Sequence, residues 1–292
     1  MAKSKVGGSR AYIRGRIGAD VYSVGKDGKG VRQQVVRSLA EQVSNPRTES
    51  QMRGRMLMST VMQAVAGLAP IIDHSFDGLP SGQPSISEFI RRNYALVKAD
   101  VEAHPSANNE FNINKYQEKG IMAGPWAISA GSVAIPAAVT PNALGLTIDL
   151  TSEAFTVGGL KSALGLSADG YFTFVYVAEG SGVYFCRIKL STTLADTTAL
   201  TAENIPGLFS YEGNVVMAAA KDQTENKIYI STSNLDAANN AWGVIVSEKI
   251  DGAWQHNTCT LDGNIEDVPQ TAAIALPTYP TGAAQFLNGG DL

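Results

Sequence analysis

The segment GKDGKG, residues 25–30, sets two lysines among three glycines, the composition of a loop that cradles phosphate. A Walker loop needs Gly-Lys followed by Ser or Thr and then a helix, whereas Lys29 is followed by Gly30 and a run of strand-forming residues. Nucleotide binding is therefore not expected, and Lys26 and Lys29 read as charges at the tip of a turn. The three histidines, His74, His104 and His256, fall in a loop, at a helix end and in a strand, with neither an HExxH pattern nor a histidine pair at ligand spacing. His256 precedes Cys259 by three residues, but no second ligand pair accompanies it, so Cys186 and Cys259 read as small hydrophobes in strands. No GxSxG elbow occurs; SAGSV is more simply a strand edge or turn, and pairs such as Glu110/Glu118 and Glu266/Asp267 read as surface carboxylates. The chain is expected to be no enzyme and to need no cofactor, metal or small-molecule substrate. Trp126, Trp242 and Trp254 could form a glycan-stacking face, against the simpler fate of burial in a core or subunit interface.

What the sequence does concentrate is positive charge. Within SNPRTESQMRGR, Ser44 to Arg55, three arginines are balanced by Glu49 alone. Residues 1–60 carry 12 Lys/Arg against 4 Asp/Glu, and residues 61–292 carry 11 against 23. Such a division points to a basic arm that meets something acidic, either a polyanion or the acidic body of a neighbouring subunit. The candidate contact residues are Arg14, Arg16, Lys26, Lys29, Arg32, Arg37, Arg47, Arg53 and Arg55.

These residues need elements to hold them. Residues 10–24 are rich in β-branched and aromatic types, turn residues follow, and VRQQVVRSL resumes the pattern, so a β-hairpin with Asp27-Gly28 at its tip is predicted. Asn45, Pro46 and the Thr48/Gln51 capping pattern predict a helix that begins between 46 and 49 and runs to about Ile72, unless Pro70 ends it a turn earlier. Arg47, Arg53 and Arg55 would then occupy its exposed first turns, beside N–H groups that prefer anions. A second helix is predicted from Ser85 or Ser87 to Pro105, with the stripe Ile86, Ile90, Tyr94, Val97 and Val101 packing on the first.

After residue 120 Gly, Thr and Ser increase, and eight short strand-like runs follow, with Asp251-Gly252 as the clearest hairpin turn and TVGGLKSALGL as a short helix. The fold class expected is α+β: a basic β-hairpin arm (1–45), a two-helix region (46–105), a linker (106–120), an antiparallel β-sandwich or barrel domain (121–280) and an extended C-terminal tail (281–292).

No apolar run is expected to reach the roughly 18 residues of a membrane span, and the opening MAKSKVGGSR lacks the apolar core of a signal peptide. Taken together, RGRIGADVYSVGKDGKGVRQQVVRS, the following NPRTESQMRGR and the later AWGVIVSEKIDGAWQ resemble a family of proteins from Bacteroidota and their phages, crAss-like gut phages among them. The likeness is specific over residues 14–57 and a pattern only over the β-rich part. It implies a phage or prophage setting, hence a virion part made in the bacterial host cytoplasm, and it carries no catalytic residues over. The expectation is a multi-copy structural protein, a ring component of the portal, neck or tail or a head-tail connector, whose partners are other copies of itself and neighbouring virion proteins. A sequence-independent nucleic-acid-binding protein is the alternative, and a capsid accessory or carbohydrate-binding attachment module a further one.

Overall fold

The computed structural model describes residues 3–5, 12–17, 20–26, 32–38, 49–80, 82–105, 111–178, 182–232 and 240–264. The chain divides into two compact units, residues 1–47 and 48–292.

The first unit is a four-stranded antiparallel meander of β1 (Lys3–Lys5), β2 (Tyr12–Ile17), β3 (Asp20–Lys26) and β4 (Arg32–Ser38), paired in that order. The predicted hairpin is β3–β4, with Lys26 opposite Arg32 at its mouth. The predicted first arm, residues 10–24, is divided into two paired strands, β2 and β3, and β1 adds a fourth, which suits a pairing that is marginal with two strands alone. Its expected tip, Lys29 included, lies outside the described residues, as does Arg47.

The second unit opens with α1 (Glu49–Ile72), which starts and ends where expected. Pro70 does not end it early, because only two residues follow and little of the ladder is left to lose. α2 (Gln83–Ala103) carries Pro84 in its first turn, where a missing N–H costs no helical bond. Its buried stripe is Ser85, Phe89, Asn93, Val97 and Val101, one residue away from the expected one over the first half; Ile86, Ile90 and Tyr94 sit half-buried on its flank. The polar pair can face inward because each finds partners. Ser85 Oγ donates to the Pro80 carbonyl at 3.1 Å, and Asn93 Nδ2 donates to those of Phe89 and Ala127 at 2.9 and 3.0 Å.

α3 (Asn114–Lys119) and a 3-10 turn, Gly120–Ala123, lead into the strands β5 (Trp126–Ser129), β6 (Val139–Asn142) and β7 (Gly145–Asp149). α4 (Val157–Leu164) follows, capped by the Thr156 side chain, which accepts from the Gly159 amide. Then come β8 (Tyr171–Ala178), β9 (Val183–Leu190), β10 (Phe209–Gly213), β11 (Ala218–Lys221), β12 (Lys227–Ser231), β13 (Asn240–Ile250), β14 (Ala253–His256) and β15 (Cys259–Asn264). One sheet runs β10-β9-β8-β13-β15-β5, with β14 also on β13; the other runs β11-β12-β7-β6, and all pairs are antiparallel. The two sheets pack as an open sandwich and do not close into a barrel. Phe172, Phe174, Tyr176, Val244 and Val246 of the first meet Leu146, Ile148, Ile228 and Ile230 of the second in one cluster that also takes Leu160 of α4.

On its other face the larger sheet packs under the helices, where Val175, Val177, Ala241 and Ile245 join Val61, Leu68, Phe89 and Val97. The two helices and the β-strands, expected as successive regions, therefore share a core within one compact unit. β8 shows the result: Phe172 to Val177 are buried without a break, because both faces of the strand are covered.

β6 and β10 were not expected as strands. Pro141 hides the first, and its place on an edge strand is where a sheet tolerates proline. The predicted run AWQHNTCTL divides into β14 and β15 at Asn257, whose side chain accepts from the Val246 amide at 2.8 Å and donates to the Val244 carbonyl at 3.0 Å. Asp251 and Gly252 form the predicted hairpin turn with φ of 51° and 81°.

The expectation about membrane spans is corrected at α1: Ser50–Ile72 is long and apolar enough to cross a bilayer by length and composition. A core helix meets the same test, and Leu57, Val61, Leu68 and Ile72 are buried inside the folded unit.

Candidate interaction surface

The register of the N-terminal sheet sorts its residues by type. Lys3 stands opposite Arg14 and Lys5 opposite Tyr12; Arg16 stands opposite Val21, which stands opposite Arg37. Antiparallel partners share a face, and so do alternate residues along a strand. Lys3, Lys5, Arg14, Arg16 and Arg37 thus belong to one face, with no Asp or Glu among its paired positions. Ile13, Ile17, Tyr22, Val24 and Val36 belong to the other, together with Asp20, Lys26 and Arg32.

The candidate cations are therefore divided. Arg14, Arg16 and Arg37 share a face, joined by Lys3 and Lys5, which sequence reasoning had not singled out; Lys26 and Arg32 sit across the sheet at the hairpin mouth. The register pairs Lys3 with Arg14, two basic residues at directly opposite positions. The described part of β4 is open on both sides: Val35 on the cationic face and Val36 on the apolar face are 40% and 51% exposed, and Arg37 is exposed. Such a face attracts carboxylates or phosphates and leaves an apolar face beside it to cover.

At the start of α1 the candidates also part. Arg55 is exposed, with its guanidinium 3.8 Å from the Met52 sulfur. Arg53 is half-buried with its guanidinium over the Phe111 ring, 5.5 Å from its centre, so it belongs to the second unit's own packing rather than to a fully exposed helix start.

The second unit holds 13 Lys/Arg against 24 Asp/Glu, and the first 10 against 3. Some of the body's carboxylates already serve cations of their own. Glu88 accepts from Arg91 at 2.5 and 2.8 Å and from Arg92 at 2.7 Å, bonds that hold its carboxyl down at about 2. Asp100 accepts from the Tyr116 hydroxyl at 2.7 Å and from Lys115 at 3.5 Å; burial, and secondarily this bond, drive the Tyr116 pKa far upward. Asp222 is held well below the usual carboxylate range, chiefly by the amides of Thr224 and Glu225.

His74 and His104 are exposed beside Asp73 and Asp100, and His256 is buried with Nδ1 3.0 Å from the Ser247 hydroxyl. Among the described residues no three His, Cys, Asp or Glu side chains converge as metal ligands would. Cys186 and Cys259 are both free thiols; burial pushes that of Cys186 up to about 11, away from reactivity. Of the tryptophans, Trp126 is buried against Phe89, Trp242 is half-buried and Trp254 is exposed.

Compared with protein-family models, curated proteins and solved structures, the chain has no match in any of the three.

Proposed function

We propose that this chain is a non-enzymatic structural subunit of a phage particle, assembled in many copies through its N-terminal sheet as an arm, as a ring of the portal, neck or tail. The observation that carries the reading is the division of charge between two compact units. A first unit of 10 Lys/Arg against 3 Asp/Glu, five of whose cations fall on one face of its sheet, belongs to the same chain as a body of 13 against 24. An arm and an acceptor of opposite sign on every copy make a heterologous contact, and a heterologous contact that closes on itself makes a ring. The phage setting comes from the resemblance of residues 14–57.

Replacement of Lys3, Lys5, Arg14, Arg16 and Arg37 by Gln tests it. The full chain should sediment as an oligomer at low salt and the variant as a folded monomer. Retention of DNA is measured on the same two proteins. Oligomers that survive the replacement while DNA retention is lost would overturn the reading in favour of phosphate binding, whose salt dependence would fall by nearly one in log–log slope per lost contact.

A further inference from the structure

The face of the larger sheet that packs under the helices changes character along its strands. From Val175 to Tyr171 on β8, Phe185 to Lys189 on β9 and Ile245 to Lys249 on β13, apolar residues give way to polar and aromatic ones on the same side. The change falls at the C-terminal end of α1, where Pro70, Ile71 and His74 border a pocket of about 20 Å³. Tyr171, Thr173, Arg187 and Ser247 line its other side. The pocket has room for about one water, or one hydroxyl in its place.

Trp254 stands beside this pocket. It is paired with Lys249 across the β13–β14 hairpin, is 41% exposed, and meets Tyr171 edge to face with ring centres 5.4 Å apart at 62°. Tyr171 thus belongs both to the aromatic pair and to the pocket wall. The cations here are underbalanced: Lys189 and Lys249 share the single carboxylate of Asp169 at 3.8 and 3.7 Å, and Arg187 has Glu212 at 3.9 Å, itself 81% exposed. In these ion pairs three cations face two carboxylates, and Asp73 beside His74 and Asp77 on the His256 amide lie on the helix side of the pocket.

We propose that this surface is a binding subsite for a carboxylate-bearing saccharide of the uronic-acid type. A sugar ring has one apolar face of C–H groups, which stacks on the exposed indole of Trp254. Its carboxylate meets Lys249 and Lys189, and a hydroxyl enters the pocket to bond Arg187 and the hydroxyls that line it. An apolar ligand would waste the three cations, and a bare anion would have no use for the exposed aromatic pair. The inference does not depend on assembly through the N-terminal sheet.

The test uses the full chain with trigalacturonate, neutral maltotriose and triglutamate, followed by tryptophan fluorescence and titration calorimetry. Trigalacturonate should bind at least tenfold more tightly than either control. Trp254→Ala should weaken it at least tenfold, and Lys249→Gln should weaken it while narrowing the margin over maltotriose. The five-Gln variant of the N-terminal sheet should bind it unchanged. No binding at millimolar trigalacturonate, equal binding of triglutamate, or binding kept by Trp254→Ala but lost in the five-Gln variant would each overturn the proposal. A circular dichroism spectrum of Trp254→Ala unchanged from the parent chain makes its loss of binding a loss of the site.

Discussion

Asn93 of α2 treats Ala127 of β5 as a neighbouring strand would: its Oδ1 accepts from the Ala127 amide at 2.7 Å and its Nδ2 donates to the Ala127 carbonyl at 3.0 Å. Below it, the Ala130 amide donates to the Ser75 carbonyl at 3.1 Å, and the Asp77 amide to the Ala130 carbonyl at 3.0 Å. Together the helical hairpin and its loop satisfy the outer edge of β5, so that edge is unavailable for pairing with another chain.

Asn93→Leu keeps the volume and removes both bonds. It should cost about 1–3 kcal/mol for each backbone group of Ala127 left buried without a partner. Urea unfolding measures this. A loss under about 0.5 kcal/mol would mean that the contact is dispensable.

α1 is a core helix on one side and an open surface on the other. Leu68→Ala should destabilise the chain by about 2–5 kcal/mol, since the residue is fully buried between the helices and the sheet. Met62 is 46% exposed, and Met62→Lys should stay within about 0.5 kcal/mol. Equal costs at the two positions would contradict the packing described for this helix.

Burial lowers the pKa of His256 from its ordinary 6.5; His74 lowers it further, and Asp77 partly offsets both. With the folded pKa depressed, the unfolded chain binds the extra proton first, so stability falls as pH drops through 6.5. The urea midpoint should decline between pH 7.5 and 5.5, and His256→Gln should flatten that decline. An identical decline in the variant would place its origin elsewhere.

Local chemistry makes several elements legible in the sequence. The Asp251-Gly252 turn and the Thr156-capped α4 both rest on residues that act on their own backbone. What the sequence hid depends on partners far along the chain. Asn93 and Ser85 look like outward residues until their acceptors are known, and so the sequence places the buried face of the first half of α2 one position away. The excess of charge in the first residues was plain, but its concentration on one face follows from three registers that composition does not specify. Trp254 could not be told from Trp126, because exposure is set by where the helices end above the sheet.

The central claim is that the cationic face of one copy lies on the acidic body of another. The direct measurement is carbodiimide coupling, which joins amines to carboxylates only when they touch, on a mixture of ¹⁴N- and ¹⁵N-labelled full chains at low salt. Mixed-isotope links from Lys3 or Lys5 to Asp or Glu residues of 48–292 should appear in the oligomer and vanish when high salt dissolves it. Links from these lysines confined to single-isotope pairs would show that the arm stays on its own body, and would contradict assembly through it.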